Sequence, residues 1–308
     1  MNTRFLVVVA MLATVLSLSA NAQTTEKPKA ATMSLGENIE GVPVTLPQAK
    51  QYDFVSGING KTYRLFVSEP AEAASGKAFP IIYVLDGNPL FATASAVSWW
   101  FQLNAIVVGI GYPNDSVSQW YTRRRFELTP IADPTEKNPS GGGDALVQVI
   151  LEEVRPFVES RLKIEKGRQA IFGYSLGGLM VLRILFQHPT AFDTYIAGSP
   201  SIWFKYREVL QDEEAFSKRA KAGELHLRLL ITSAGLEQYR GEDSAKLADA
   251  NQHRMIDNAS ELADRLSGLD PQNVRVTRQI LPDETHNSGA MASLVRGVIF
   301  ATQAPTSR

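Results

Sequence analysis

Pro80-Ile81-Ile82-Tyr83-Val84-Leu85 is apolar at every position. A strand with one wet face alternates polar and apolar residues, so an unbroken run of this kind must be covered on both faces. Comparable runs recur at 105–110, 169–172, 194–197, 225–231 and 274–281. Helix-length segments lie between most of them, at 91–101, 144–162, 176–187 and 245–266, with a last one at 290–301. Strands alternating with helices predict a mostly parallel sheet with helices on both faces. Upstream, 52–56 and 61–68 alternate instead and flank Gly57-Ile58-Asn59-Gly60, which reads as a hairpin at the antiparallel edge of that sheet. No repeat or charge block interrupts the pattern, so residues 46–308 are expected to form a single α/β domain.

The N-terminus reads differently. Arg4 precedes an apolar run from Phe5 to Leu18, too short for a comfortable membrane span of about 20 residues. Ala20-Asn21-Ala22-Gln23 follows with the small residues of a signal-peptidase site. Residues 1–22 are therefore expected to be a secretory signal peptide, cleaved near Ala22, and 23–45 a flexible leader. A periplasmic or secreted mature chain without a membrane span is the consequence. The chain has no cysteine, which excludes a thiol nucleophile, a thiolate metal site and a lipidated cysteine. With 31 basic and 32 acidic residues it gives no electrostatic support to nucleic-acid binding.

The chemistry centres on Gly173-Tyr174-Ser175-Leu176-Gly177-Gly178, after one apolar run and before a helix-forming segment. On a strand-to-helix turn, Gly-x-Ser-x-Gly projects the serine hydroxyl above the sheet. A serine needs a base, usually imidazole oriented by a carboxylate. Of the four histidines, His188 ends the helix after Ser175, His226 falls in a strand and His253 in a charged helix. His286, after the last strand, occupies the place a base requires. The acid should follow the preceding strand, where Glu237 is the first choice and Asp243 the alternative. The backbone N–H groups of Leu176 and of Asn88, in the turn Asp86-Gly87-Asn88-Pro89, are the expected oxyanion donors. Gly87 is expected to free that turn.

Residues 112–143 are long for a connection and carry Trp120, Tyr121 and Arg123-Arg124-Arg125, which in a loop beside the site would suit an anionic, aromatic ligand. One of the three arginines is expected to reach it. Trp203 in the second insertion, 199–224, and Tyr174 beside the nucleophile complete the expected substrate-binding set. No His/Asp/Glu cluster has metal-ligand spacing, and no cofactor is implied.

Taken together, the elbow, Leu85-Asp86-Gly87-Asn88, Arg124-x-x-Glu127-Leu128-Thr129-Pro130, Ser199-Pro200-Ser201-x-Trp203 and Glu284-Thr285-His286 resemble the esterase-D-like esterases of the α/β-hydrolase superfamily. Among these the chain looks similar to siderophore esterases that cut the trilactone of enterobactin and its glucosylated relatives. The resemblance spans about 45–303. It implies an α/β-hydrolase fold and hydrolysis of a small-molecule ester, with a ferric catecholate siderophore as the substrate. It also implies an arginine near the catecholate, which maps to Arg124, with Glu127 standing where the family has aspartate. Some siderophore esterases use a Ser–His dyad, so the acid at 237 is the least constrained carry-over. A general carboxylesterase or a polysaccharide acetyl- or feruloyl-type esterase is the alternative within the superfamily. A binding protein in a hydrolase-like scaffold would have no use for the elbow serine.

Overall fold

A computed structural model describes residues 44–46, 48–113, 116–132, 134–135, 137–238 and 252–303. The expected signal peptide, nearly all of the leader, and Asp243 lie outside the described residues.

β1 (Ala49–Val55) and β2 (Thr62–Ser68) form the expected hairpin. Its turn closes with Ser56 N–H on the Lys61 carbonyl (2.9 Å), and Gly60 supplies a left-handed φ of 69°. β3 (Phe79–Leu85) leads through α1 (Gly87–Trp100) to β4 (Ile106–Gly111), and both strands are buried along their whole length. After α2 (Val117–Glu127) come α3 (Gly143–Gln148) and α4 (Arg155–Glu159), joined by a wide π turn over Val149–Val154. The sequence predicts one uninterrupted helix there. Pro156 lacks an N–H and crowds the carbonyl four residues back, which the wider turn relieves. β5 (Ile164–Tyr174), α5 (Leu176–Gln187), β6 (Thr194–Gly198), α6 (Glu213–Lys221) and β7 (Leu227–Ala234) follow. α7 (Met255–Ser267), β8 (Val274–Leu281) and α8 (Gly289–Thr302) end the described chain.

The eight strands make one sheet in the order β1-β2-β4-β3-β5-β6-β7-β8, antiparallel at β1, β2 and β4 and parallel from β4 onward. This is the α/β-hydrolase-like architecture predicted. β8 is the far edge and is only partly covered, so Arg275, Arg278 and Gln279 are accommodated in a strand that reads as continuous with the others. Leu90, Phe91 and Ala94 of α1 and Leu294 and Val298 of α8 cover one face against Ile82, Val84, Phe172 and Ile196. Leu179, Val181, Leu182 and Leu185 of α5, with Leu262 and Leu266 of α7, cover the other against Ile81, Tyr83, Ile171 and Tyr195. The chain order reverses between β3 and β5. The turns leaving those two strands therefore flank the crevice where open α/β sheets bind ligands.

Candidate active site

The turn out of β5 places Ser175 at φ 60°, ψ −116°, a conformation that ordinary residues avoid. Its N–H donates to the Gly198 carbonyl (2.9 Å), while its carbonyl accepts from Leu179 and Ser201 (3.0 and 3.1 Å), so the strain is held from two sides. The glycines make the elbow possible by close approach. A Cβ at Gly173 would stand 2.2 Å from the Gly177 carbonyl oxygen, and one at Gly178 would stand 2.8 Å from that of Gly198. At Gly177 the nearest atom would be 3.5 Å away, so the motif's second glycine is not the one that steric pressure demands.

His286, in the loop between β8 and α8, lies with Nε2 3.0 Å from Ser175 Oγ and Nδ1 2.8 Å from Glu237 Oε2. With its proton on Nδ1, the ring donates to the carboxylate and accepts from the serine hydroxyl. The Glu237 side chain is 1% exposed and its other oxygen accepts from the Ala234 N–H (3.1 Å), which holds the carboxylate at the end of β7. The loop bearing His286 is joined to the same turn by Gly235 N–H on the Leu281 carbonyl and Leu236 N–H on the Glu284 carbonyl. Three segments widely separated in sequence thus converge on one line of contacts.

Leu176 opens α5 and Asn88 stands in the first turn of α1. First-turn N–H groups have no acceptor within their own helix and carry the positive end of its dipole. Both helices begin at the crevice. The Asn88 side chain has a different task, because Nδ2 donates to the Tyr112 carbonyl (2.8 Å) and Oδ1 accepts the Tyr112 N–H (2.9 Å), locking α1 to the end of β4. The left-handed residue of this turn is Asp86, at φ 57°, and not Gly87. Gly87 is required for a different reason, since a Cβ there would sit 2.7 Å from backbone atoms of Gly109 and Ile110.

The basic segment departs from expectation. Arg123, Arg124 and Arg125 lie on α2, whose start is capped by Ser116 Oγ accepting the Gln119 N–H (3.2 Å). Ser116 three residues before Gln119 is the capping signal that marks this helix inside an apparent loop. Arg123 stacks over Tyr63 and Tyr112 and pairs with Glu127, which also accepts the Tyr63 hydroxyl (2.6 Å). Burial raises the Glu127 pKa above the ordinary carboxylate value, with Tyr63 and Arg123 opposing it. Arg124, expected at the ligand, is 12% exposed; Nε donates to Asp86 Oδ1 (2.7 Å) and Nη2 to the Tyr174 carbonyl (3.1 Å).

Tyr174 lies in the layer formed with α1 and α8, its ring 5.2 Å from the His286 ring between centres. Its hydroxyl donates to the His286 carbonyl (2.6 Å), and burial raises its pKa so that it stays a donor. Trp203 is half-buried against the core, edge-on to His253 at 4.3 Å between ring centres. Two residues before it is a neighbour that sequence reasoning assigned no role: the Ser201 hydroxyl, 3% exposed, lies 3.3 Å from Ser175 Oγ. The described residues contain no group of three or more His, Cys, Asp or Glu side chains placed to hold a metal.

Comparison with known proteins gives a consistent result. The model of the family described as "Putative esterase" matches residues 56–268. The siderophore triacetylfusarinine C esterase of Aspergillus fumigatus is 34% identical over 278 residues, covering 83% of this chain and 94% of its own. The ferri-bacillibactin esterase BesA of Bacillus subtilis is 31% identical over 272 residues, covering 83% and 90%. Among solved structures, the BES protein of Bacillus cereus superposes with a TM-score of 0.74 at 29% identity, over 86% of this chain and all of that one.

Proposed function

From the premise that the chain belongs to this esterase family and is a carboxylic ester hydrolase, we propose that it hydrolyses the ester bonds of a siderophore through a Ser175–His286–Glu237 acyl-enzyme mechanism. The observation that supports this most is the unbroken line of contacts, 3.0 Å from Ser175 to His286 and 2.8 Å from His286 to Glu237. Ser175 Oγ attacks the ester carbonyl while His286 Nε2 takes its proton. Glu237 holds the ring and offsets the imidazolium charge. The N–H groups of Leu176 and Asn88 receive the charge that develops on the carbonyl oxygen. Collapse expels the alcohol, which takes the proton back from His286. Water then attacks the acyl-serine by the same route in reverse, releasing the acid and free Ser175.

The substrate assigned is a catecholate trilactone, in its ferric or iron-free form, with the iron as cargo. Similarity to a siderophore triacetylfusarinine C esterase and a ferri-bacillibactin esterase supports a siderophore ester as the substrate class. The Arg4-to-Gln23 segment supports export, so the reaction is placed in the periplasm or outside the cell.

The test is a product assay. Purified protein is incubated with a catecholate trilactone and with short-chain nitrophenyl esters, and products are resolved by mass. Linear products should form from the lactone far faster than nitrophenol is released. Ser175→Ala should remove at least about 10⁴-fold of either activity without loss of fold. Full turnover by that variant would end the serine mechanism. Activity on simple esters with none on the lactone would end the siderophore assignment.

A further inference from the structure

Asp86 occupies the left-handed region at φ 57°, ψ 43°, where a residue with a Cβ rests only if its surroundings hold it. As the residue preceding α1 it is placed to cap that helix, yet its side chain makes no capping bond. Its carboxylate, 4% exposed, accepts instead from Arg124 Nε at 2.7 Å. The same guanidinium donates through Nη2 to the carbonyl of Tyr174 at 3.1 Å. One side chain therefore holds the carboxylate of the residue two before Asn88 and the backbone carbonyl of the residue two before Leu176. The Asp86 carboxylate also stands against the first turn of α5, with Oδ2 3.5 Å from where a Cβ on Gly177 would be. Trp120 covers the guanidinium, at 5.6 Å from its ring centre.

From this geometry we infer that Arg124 is a positioning residue that clamps the β3–α1 and β5–α5 turns together and so sets the spacing of the two oxyanion donors. The inference rests on the proposed serine mechanism. The planar fork matters, because it addresses two acceptors in fixed directions, whereas lysine offers a single flexible point charge. Donor spacing is felt when charge develops on the carbonyl oxygen, so its loss falls on kcat and leaves KM nearly unchanged. A guanidinium that contacted an anionic ligand would instead contribute ground-state binding, and its loss would raise KM for anionic esters alone.

The test uses two full-length variants. Arg124→Lys keeps the charge and removes the fork, while Arg124→Gln/Asp86→Asn removes both buried charges together so that neither is orphaned. kcat and KM are measured on a neutral and an anionic aryl ester, with binding of a trifluoromethyl ketone that forms an oxyanion adduct with serine. The expected result is a fall in kcat of about 10- to 100-fold on both esters, an unmoved KM, and ketone affinity lowered in the same proportion. The pH–rate profile should keep its shape, because His286 and Glu237 are untouched. Unchanged kcat, or a KM increase confined to the anionic ester, would overturn the clamp. Should either variant lose its thermal transition, the other carries the same reading. An active Ser175→Ala variant would instead sink the serine mechanism, an outcome distinct from one in which Ser175→Ala is dead and Arg124→Lys is unimpaired.

Discussion

Glu237→Gln is the sharpest perturbation of the proposed triad, because it keeps side-chain size and an acceptor for the Ala234 N–H while removing the charge that faces His286. When Ser175 attacks, its proton arrives on Nε2 and the ring becomes a cation whose Nδ1 is 2.8 Å from Oε2. At about 4 Å between charge centres and an effective dielectric of about 20, that attraction is worth about 4 kcal/mol. Each ~1.4 kcal/mol is tenfold in rate, so complete loss would cost nearly three decades. The carboxylate is 1% exposed but the imidazole is 39% exposed, and solvent on the ring side takes back part of this. A fall in kcat of about 10²- to 10³-fold is therefore expected, with KM unchanged because Glu237 acts through the histidine. Steady-state kinetics on a soluble aryl ester at saturating concentration measure it. A variant within about threefold of wild type would refute the reasoning: Ser175 and His286 would then work as a dyad, and Glu237 would only brace the turn after β7.

The elbow and the histidine loop give two further tests. Gly173→Ala puts a Cβ 2.2 Å from the Gly177 carbonyl oxygen, backbone that no rotamer change can move, so a loss of ~3 kcal/mol or more is expected. Gly177→Ala meets nothing nearer than 3.5 Å and should cost under ~1 kcal/mol; thermal melts that rank the two variants equally would contradict this. Tyr174→Phe deletes the 2.6 Å bond to the His286 carbonyl and should lower kcat about fivefold at constant KM, as fits one hydrogen bond of ~1 kcal/mol. A raised KM with normal kcat would return Tyr174 to the substrate surface.

The parallel layers were legible because burial on both faces leaves a mark that needs no tertiary information: strands such as 80–85 and 106–111 have no polar side to show. The elbow and the convergence of His286 and Glu237 on Ser175 were legible for a related reason, since each follows a strand and the strand order fixes where such turns meet. α2 was hidden because its composition is mostly polar and prolines stand near it, leaving only the Ser116–Gln119 cap to mark its start. The partners of Arg124 were beyond reach of the sequence. An arginine's long side chain takes its meaning from what lies within its radius, here a carboxylate 38 residues away and a carbonyl 50 residues away.

Tyr174 shows how the two faces of the sheet are joined at the site. Side chains alternate along β5, so Phe172 and Tyr174 enter the layer formed with α1 and α8, while Ile171 enters the other. The crevice opens where Ser175 leaves this alternation. From its own side, Tyr174 reaches past the end of the sheet to the carbonyl of His286, 112 residues onward. Room for that reach comes from two glycines: a Cβ on Gly198 would meet the ring at 2.7 Å, and one on Gly289 would meet the hydroxyl at 2.8 Å. The proposed nucleophile and base are thus positioned by adjacent residues of one turn, Ser175 through its strained backbone and His286 through the neighbouring phenol. A displacement of that turn moves both partners together, so their separation is less sensitive to motion of the β8–α8 loop than a histidine held by its loop alone would be.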